Sequence, residues 1–213
     1  MSMKSFAPLA ALASIALCAA LAFAAEGKAG NSWGGQFYLF TREVPLPVAL
    51  PIKQGVVGLG YTMNGKLGAS PHWDWNAGFG YGIGNFKSES ITGGVSSTSE
   101  ISLTSWEARL GFDYWSDCCD EDWYCGPGFI YQSTELTSKN TGSPDQKYKP
   151  VKVIGIDPHM GGVIRISPNA GLFGAMDMVL GYMSYDETRT GTEDKLNGWV
   201  NSVGWRGGLR LKY

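Results

Sequence analysis

The segment at the end of the chain, residues 199–213, constrains the fold more than any other part of the sequence. Large apolar or aromatic residues occupy most of the odd-numbered positions there, and glycines, serine and cations occupy most of the even-numbered ones. An alternation of period two places the two sets on opposite faces of a β-strand. An apolar face opposite a polar one, with an aromatic residue at the end, is typical of a strand with lipid outside and a polar lumen inside.

The N-terminus has the features of a secretory signal peptide. Lys4 precedes an apolar run over residues 6–25, and Ala22-Phe23-Ala24 is a cleavage site with small residues at its first and third positions. We therefore expect residues 1–25 to be cleaved and residues 26–213 to form the mature domain. A lipoprotein cysteine at Cys18 is the weaker alternative, because Leu17 stands where a small residue is needed. A retained membrane anchor is also possible, but the run is only just long enough to span.

Composition indicates a closed β-barrel. The chain has 30 Gly, 13% aromatic residues and 17% charged residues, a mixture of small and bulky groups that barrels use and long helices do not. A formal net charge of −2 gives no basic surface for nucleic acid. The mature part is long enough for about eight strands, since each needs roughly 9–11 residues to cross a bilayer with tilt.

Alternating segments predict where those strands lie. They are residues 33–41, 56–67, 73–84, 102–114, 128–136, 151–166, 172–185 and 199–213, with Pro158 causing an irregularity in the sixth. The links 68–71 and 167–170 are short, whereas 86–98, 137–150 and 186–196 are long and polar. We expect the short links to be periplasmic turns and the long ones outer loops. Residues 116–125 are the exception, a long link on the periplasmic side.

With its closing residues 204–213, Gly-Trp-Arg-Gly-Gly-Leu-Arg-Leu-Lys-Tyr, the chain resembles the small eight-stranded outer-membrane barrels, a group that includes the OmpX, OmpW and OmpA transmembrane-domain families. The resemblance implies an all-β, up-and-down antiparallel barrel in the outer membrane, in contact with its lipid. It also implies that the barrel-insertion machinery reads the last strand during assembly, through Trp205, Leu209, Leu211 and Tyr213. The alternative is that these residues only pack at the membrane interface.

Ionisable residues of both signs fall on the inward faces of the predicted strands. An eight-stranded barrel is only just wide enough for its own side chains. Unpaired charges there are costly, so we expect the charges to pair into a plug. A narrow path for small solutes is the alternative, since the glycines of the third strand could leave local space. The inward set is Asp74, Glu107, Arg109, Asp113, Asp157, His159, Arg165, Asp177, Arg206, Arg210 and Lys212.

His159 is the one inward residue that suggests catalysis. Asp157 lies two residues away on the same face, as a general base and its partner would. Some small outer-membrane barrels are lipid A-modifying enzymes, but the chain has no His-x-Ser pairing. We therefore expect His159 to belong to the plug, and we expect no enzymatic activity and no cofactor.

Three cysteines lie close together, at Cys118, Cys119 and Cys125. In an oxidising compartment, one of the adjacent pair can form a disulfide with Cys125 and leave one thiol over. Acidic neighbours make metal binding conceivable, but the spacing fits no structural zinc pattern. We expect the disulfide.

Residues 44–52 form an unusually apolar connection. Prolines at 45, 47 and 51 keep it extended and exclude a central-strand role. We expect it to fold over the barrel mouth or to contact a partner or lipid, with packing under neighbouring loops as the alternative. Its apolar residues are Val44, Leu46, Val48, Leu50 and Ile52.

Together these features predict a non-enzymatic outer-membrane barrel with a structural or surface-interaction role in the envelope. Three alternatives stay open: a narrow porin-like channel, a lipid-modifying enzyme, and a secreted soluble barrel that encloses an apolar ligand. In the last case the bulky residues would face inward.

Overall fold

The computed structural model describes residues 33–45, 53–67, 72–92, 95–116, 122–140, 146–189 and 192–212. Almost all of these residues lie in β-strands. No helix in these ranges is long and apolar enough to cross a bilayer. The strands are β1 (Trp33–Pro45), β2 (Lys53–Lys66), β3 (Trp73–Thr92), β4 (Val95–Ser116), β5 (Asp122–Gly126), β6 (Gly128–Asn140), β7 (Gln146–Lys147), β8 (Val151–Ile156), β9 (His159–Ser167), β10 (Ala170–Arg189) and β11 (Thr192–Lys212).

These segments form one closed antiparallel sheet, and its wall consists of eight long strands. β5 and β6 are separated only by Pro127 and both pair with β4, so together they form one strand of the wall. β8 and β9, separated by Asp157 and Pro158, likewise both pair with β10. β11 pairs with β10 on one side and with β1 on the other, which closes the barrel. The predicted eight-stranded up-and-down barrel is confirmed, and so is the irregularity at Pro158.

One strand was not expected from the sequence. The link 116–125 was predicted as a long turn, but β5 begins within it and pairs with both β4 and β9. The alternation of Trp123, Tyr124 and Cys125 is too short to stand out in the sequence. Pro127 separates this segment from the clearer pattern of β6.

The register of the strands determines the tilt of the barrel. From Gly198 in β11, partners in register lead round the barrel through Met183, Val153, Gln132, Glu107, Gly80, Gly60 and Tyr38. The path returns to β11 at Gly208, ten residues from its start. Such an offset requires strongly tilted strands, and a barrel of eight tilted strands has an interior that its own side chains fill.

Large apolar side chains form a belt on the outside of the barrel. Phe79 is 54% exposed, Trp205 is 60% exposed and Ile164 is 68% exposed. Their sequence neighbours Gly80, Arg206 and Val163 are buried in the interior. The predicted face assignment of these strands is therefore confirmed. A soluble barrel with its bulky residues turned inward does not have this surface.

The two ends of the barrel differ. One, the turn end, carries the links 67–72, 117–121 and 168–169; the other, the hairpin end, carries the links 46–52, 93–94, 141–145 and 190–191. Toward the hairpin end the outward residues change from apolar to polar. This change runs from Ile83 to Asn85 in β3 and from Trp199 to Asn197 in β11.

The predicted loops 86–98 and 186–196 are wrong, because β3 continues to β4 and β10 to β11 as long hairpins. Strands outside the apolar belt still gain from backbone pairing but need no apolar face, so the sequence pattern that marks a membrane strand ends before the strand does.

Glycines on the inward face of β2 and β3 make room for aromatic rings. A Cβ at Gly60 would collide with the ring of Tyr38, and a Cβ at Gly82 would lie 3.1 Å from Cζ of Phe40. Tyr38 and Phe40 are both buried. Side chains of β1 therefore occupy the space beside these two glycines.

We predict that Gly60→Ala destabilises the barrel by about 1–3 kcal/mol, because the added methyl overpacks the interior against Tyr38. The matched control is Gly174→Ala, at an outward position with no atom within 4 Å of its Cβ, which should change stability by less than about 0.5 kcal/mol. Urea unfolding in detergent micelles, followed by gel mobility, measures both. Equal losses in the two variants would contradict the packing argument.

Candidate functional site

The lumen is the candidate functional site, and the inward-facing residues of β4 line it from one end to the other. These residues pass through five layers of the lumen. From the hairpin end, the layers are an apolar one, a neutral polar one, an ionic one, one around His159 and one around Arg210. The residues of β4 in these layers are Leu103, Ser105, Glu107, Arg109, Asp113 and Trp115, all buried except the partly buried Trp115.

An apolar cluster lies inside the barrel toward the hairpin end. Val56 is fully buried, and Leu103 and Val151 are almost so. They belong to one continuous apolar cluster, against which Phe86 and Tyr148 pack from above the belt. Beneath this core lies a neutral layer in which Gln132 and Thr134 donate hydrogen bonds to Oγ of Ser105, at 3.1 and 2.9 Å.

Three arginines and three carboxylates form an ionic cluster in the middle of the lumen. Asp177 lies at its centre and contacts all three arginines, Arg42, Arg109 at 3.1 Å and Arg206 at 3.0 Å. Glu107 joins Arg42 at 3.1 Å and Arg109 at 2.8 Å. Arg109 also contacts Asp157 at 2.6 Å. Because the cluster contains three arginines and three carboxylates, its formal charges cancel.

Sequence reasoning missed Arg42, although it is among the most deeply buried residues of the lumen. Its inward neighbours in β1 are Tyr38, Phe40 and Val44, large apolar groups that look like an outward face. The only signal in the sequence is the alternation of the strand. Arg42 lies an even number of residues from these three and so faces inward with them, whereas Thr41 and Glu43 face outward.

A second polar group surrounds His159, nearer the turn end. Nε2 of His159 lies 2.7 Å from Asp113, and its Nδ1 lies 3.0 Å from the backbone oxygen of Asp157. Asn76 donates a hydrogen bond to the same carboxylate of Asp113 at 2.8 Å. Both ring nitrogens are thus engaged by the protein. No group of three or more metal-ligating side chains occurs among the described residues.

The last layer lies at the turn end. Arg210 stacks over the ring of Trp115 at 4.0 Å and contacts Asp74 at 3.4 Å. Lys66, which is partly exposed, contacts the other oxygen of Asp74 at 2.9 Å. Arg210 therefore lies between an aromatic ring and a carboxylate at this end of the lumen.

The structure brings together most of the predicted lumen residues. Two do not belong to the buried set, because Arg165 and Lys212 are exposed near the turn end, where β9 and β11 end and the sheet no longer encloses them. They line a small recess there beside the link 168–169. The buried members of the prediction are Asp74, Glu107, Arg109, Asp113, Asp157, His159, Asp177, Arg206 and Arg210.

The predicted assembly residues lie in or beside β11. Trp205 is 60% exposed on the outward face, and Leu209 is partly exposed. Leu211 was expected to be exposed with them, but it is fully buried. Its partners in register are Gly35 and Ala170. Tyr213 lies outside the described residues.

Cys125 is a free, exposed thiol in β5. Its predicted disulfide partners, Cys118 and Cys119, lie outside the described residues. The disulfide therefore stays a prediction.

The apolar connection 44–52 is only partly described. Val44 was expected in an exposed, partner-binding loop, but it belongs to β1 and is fully buried in the apolar core at the hairpin end. Its alternation with Arg42 and Phe40 places it on the inward face. Leu46, Val48, Leu50 and Ile52 lie outside the described residues, so their role stays a prediction.

Several solved structures share this architecture. Neisserial surface protein A matches with a TM-score of 0.50 and 12% identity, over 85% of this chain and 97% of that one. A major outer membrane protein from Thermus thermophilus matches with a TM-score of 0.50 and 10% identity, over 84% and 99%. OprG from Pseudomonas aeruginosa gives 0.50 and 10%, over 86% and 97%. No protein-family model and no curated protein matches the sequence. The chain thus has the fold of the small outer-membrane β-barrels.

We predict that Asp177→Asn costs about 3–5 kcal/mol of stability, because three buried arginines lose their shared counter-charge. Asp74→Asn is the comparison variant and should cost less, since Asp74 has one long contact to a buried arginine, Arg210 at 3.4 Å, and its other partner, Lys66, has a side chain that is 39% exposed and remains hydrated. Urea midpoints in detergent micelles compare the two. Similar losses would show that Asp177 is not the centre of the cluster.

Proposed function

We propose that this protein is an integral outer-membrane β-barrel that does not conduct solutes and serves a structural or surface-interaction role in the envelope. The observation that carries the proposal is the filled lumen, in which apolar, ionic and aromatic layers follow one another from the hairpin end to the turn end.

Opening a path through the lumen would require breaking the ionic cluster. Separating Asp177 from Arg42, Arg109 and Arg206 leaves buried charges without partners, at a cost of several kcal/mol for each ion. The glycines that could have left a bypass on β2 and β3 are covered by Tyr38 and Phe40. Both features favour a plug over a pore.

The outward belt supports a membrane location. Exposed apolar surface of this extent on a soluble monomer would lead to association. In a bilayer it contacts lipid chains, while the closed sheet satisfies all backbone groups inside it. The signal peptide predicted at residues 1–25 would direct export across the inner membrane and be cleaved. We place the turn end in the periplasm and the hairpin end outside, as short turns and long hairpins require.

The geometry of His159 favours a structural role for this residue. Its ring is buried, and Asp113 and the backbone of Asp157 hold both nitrogens. A general base needs a free nitrogen within reach of a substrate proton. We therefore assign no catalytic residue and no cofactor.

A conductance measurement in planar bilayers tests this proposal. We expect no steady current steps from the wild type. The double variant Glu107→Ala with Arg109→Ala removes one positive and one negative side chain from the cluster and should produce small, frequent openings, which also shows that the protein has inserted.

Steady steps from the wild type would contradict the plug and favour the narrow channel. A boiling-dependent gel shift of each sample confirms that the barrel is folded before its current is recorded.

Assembly by the insertion machinery can be separated from packing at the membrane interface. We expect Trp205→Ser and Leu209→Ser to lower the amount of protein in the outer-membrane fraction several-fold without changing refolding of purified protein into detergent. The control is Trp123→Ser, an outward tryptophan of similar exposure, 55%, outside the last strand. If all three variants lose the same amount in cells, these residues act only through packing.

A further inference from the structure

Asp113 differs from the other buried carboxylates of the lumen in its partners. Within the part of the chain that the structure describes, no arginine or lysine lies at ion-pair distance from it. Its side-chain partners there are Asn76, at 2.8 Å, and His159, at 2.7 Å. Because an isolated buried charge is costly, His159 is the residue that can neutralise Asp113. The other buried carboxylates, each of which contacts at least one arginine, are Asp74, Glu107, Asp157 and Asp177.

Both ring nitrogens of His159 face an oxygen atom. Nε2 lies 2.7 Å from Oδ1 of Asp113, and Nδ1 lies 3.0 Å from the backbone oxygen of Asp157. A backbone oxygen only accepts hydrogen bonds. A neutral imidazole donates from one nitrogen and accepts at the other, whereas an imidazolium donates from both. A neutral ring would therefore direct a lone pair at one of the two oxygens unless the proton were on Asp113.

The contact of Asn76 indicates that the proton is on the ring. The side-chain nitrogen of Asn76 donates to Oδ1 of Asp113, the same oxygen that faces Nε2 of His159. An ionised carboxylate oxygen accepts two hydrogen bonds readily, whereas a protonated oxygen would use its hydrogen toward His159 and accept less well from Asn76. The geometry is therefore that of a carboxylate and an imidazolium.

Other ionisable groups surround the Asp113–His159 pair. The charged ones among them already contact each other within the ionic cluster. Loss of the proton from His159 therefore leaves the charge of Asp113 without a counter-charge. The ionisable groups that face the pair are Tyr124 of β5, Arg109 of β4, Asp157 in the link before β9, Asp177 of β10 and Arg206 of β11.

We propose that His159 is an imidazolium in the folded barrel and that its proton is a pH-sensitive switch for the turn-end half of the lumen. While the proton is present, the Asp113–His159 pair joins β4 to β9 across the intervening β5. When the pH rises and the proton leaves, Asp113 is a buried charge without a partner, and water enters from the turn end to hydrate it. The inference goes beyond the proposed function and does not depend on which end faces the periplasm.

Nitrogen-15 NMR of the purified barrel in detergent micelles measures the protonation of the ring directly. The chain has two histidines, so labelling histidine alone gives two sets of ring signals, and His72→Gln assigns them. We expect both ring nitrogens of His159 to carry a hydrogen at neutral pH and one of them to lose it on titration to alkaline pH. A single protonated nitrogen at neutral pH would overturn the proposal.

Urea unfolding at a series of pH values tests whether this proton stabilises the fold. A proton that the folded state holds more tightly stabilises at lower pH, and the stabilisation is lost as the pH rises through its titration. We expect the wild-type midpoint to fall over the pH range in which the His159 signal titrates. His159→Gln should raise the unfolding equilibrium constant roughly tenfold at neutral pH and lose this fall. His72→Gln is the control and should keep it.

The double variant Asp113→Asn with His159→Gln separates charge from packing. It replaces the ion pair by two amides that hydrogen-bond without charge, so it should recover about half or more of the midpoint that His159→Gln loses. If His159→Gln is as stable as wild type at neutral pH, or if the double variant recovers nothing, His159 acts only through packing and the switch is overturned. A ring that titrates without any change in wild-type stability would also overturn it.

Discussion

The closure of the sheet between β1 and β11 is the constraint on which the rest of the structure depends. A strand that crosses a bilayer must satisfy all its backbone groups without water, and only a closed sheet does so. A sheet of eight strands that closes with a register offset of ten residues has a narrow interior. The outward face is left to large apolar residues, and the inward face must fill a space that admits little else than its own side chains.

That narrow interior explains why charge, aromatic rings and glycine occur together in the lumen. Asp177 contacts three arginines at once, because strands from different parts of the wall bring Arg42, Arg109 and Arg206 close to it. Tyr38 and Phe40 fit beside this cluster because Gly60 and Gly82 face them without side chains. The packing of the lumen is therefore a property of the whole barrel, and each layer depends on residues from strands far apart in the sequence.

Beyond the apolar belt the requirement for closure ends, because water can satisfy free backbone groups. The described strands differ in length, and those of the hairpins β3–β4 and β10–β11 are longer than β1 and β2.

The sequence by itself determined the fold class, because strict alternation in β3, β4, β10 and β11 distinguishes inside from outside at each position. It also placed Glu107, Asp113, Asp157 and Asp177 in the interior, since a charge on the outward face would be costly. Only the tertiary structure decided which charges pair, that Arg42 joins them, and that Val44 and Leu211 are buried. It also decided that β5 is a strand and that the polar links 86–98 and 186–196 are hairpins. The physical reason is that face alternation is a local property of each strand, whereas ion pairing, burial at a rim and the pairing of polar segments depend on register between strands distant in the chain.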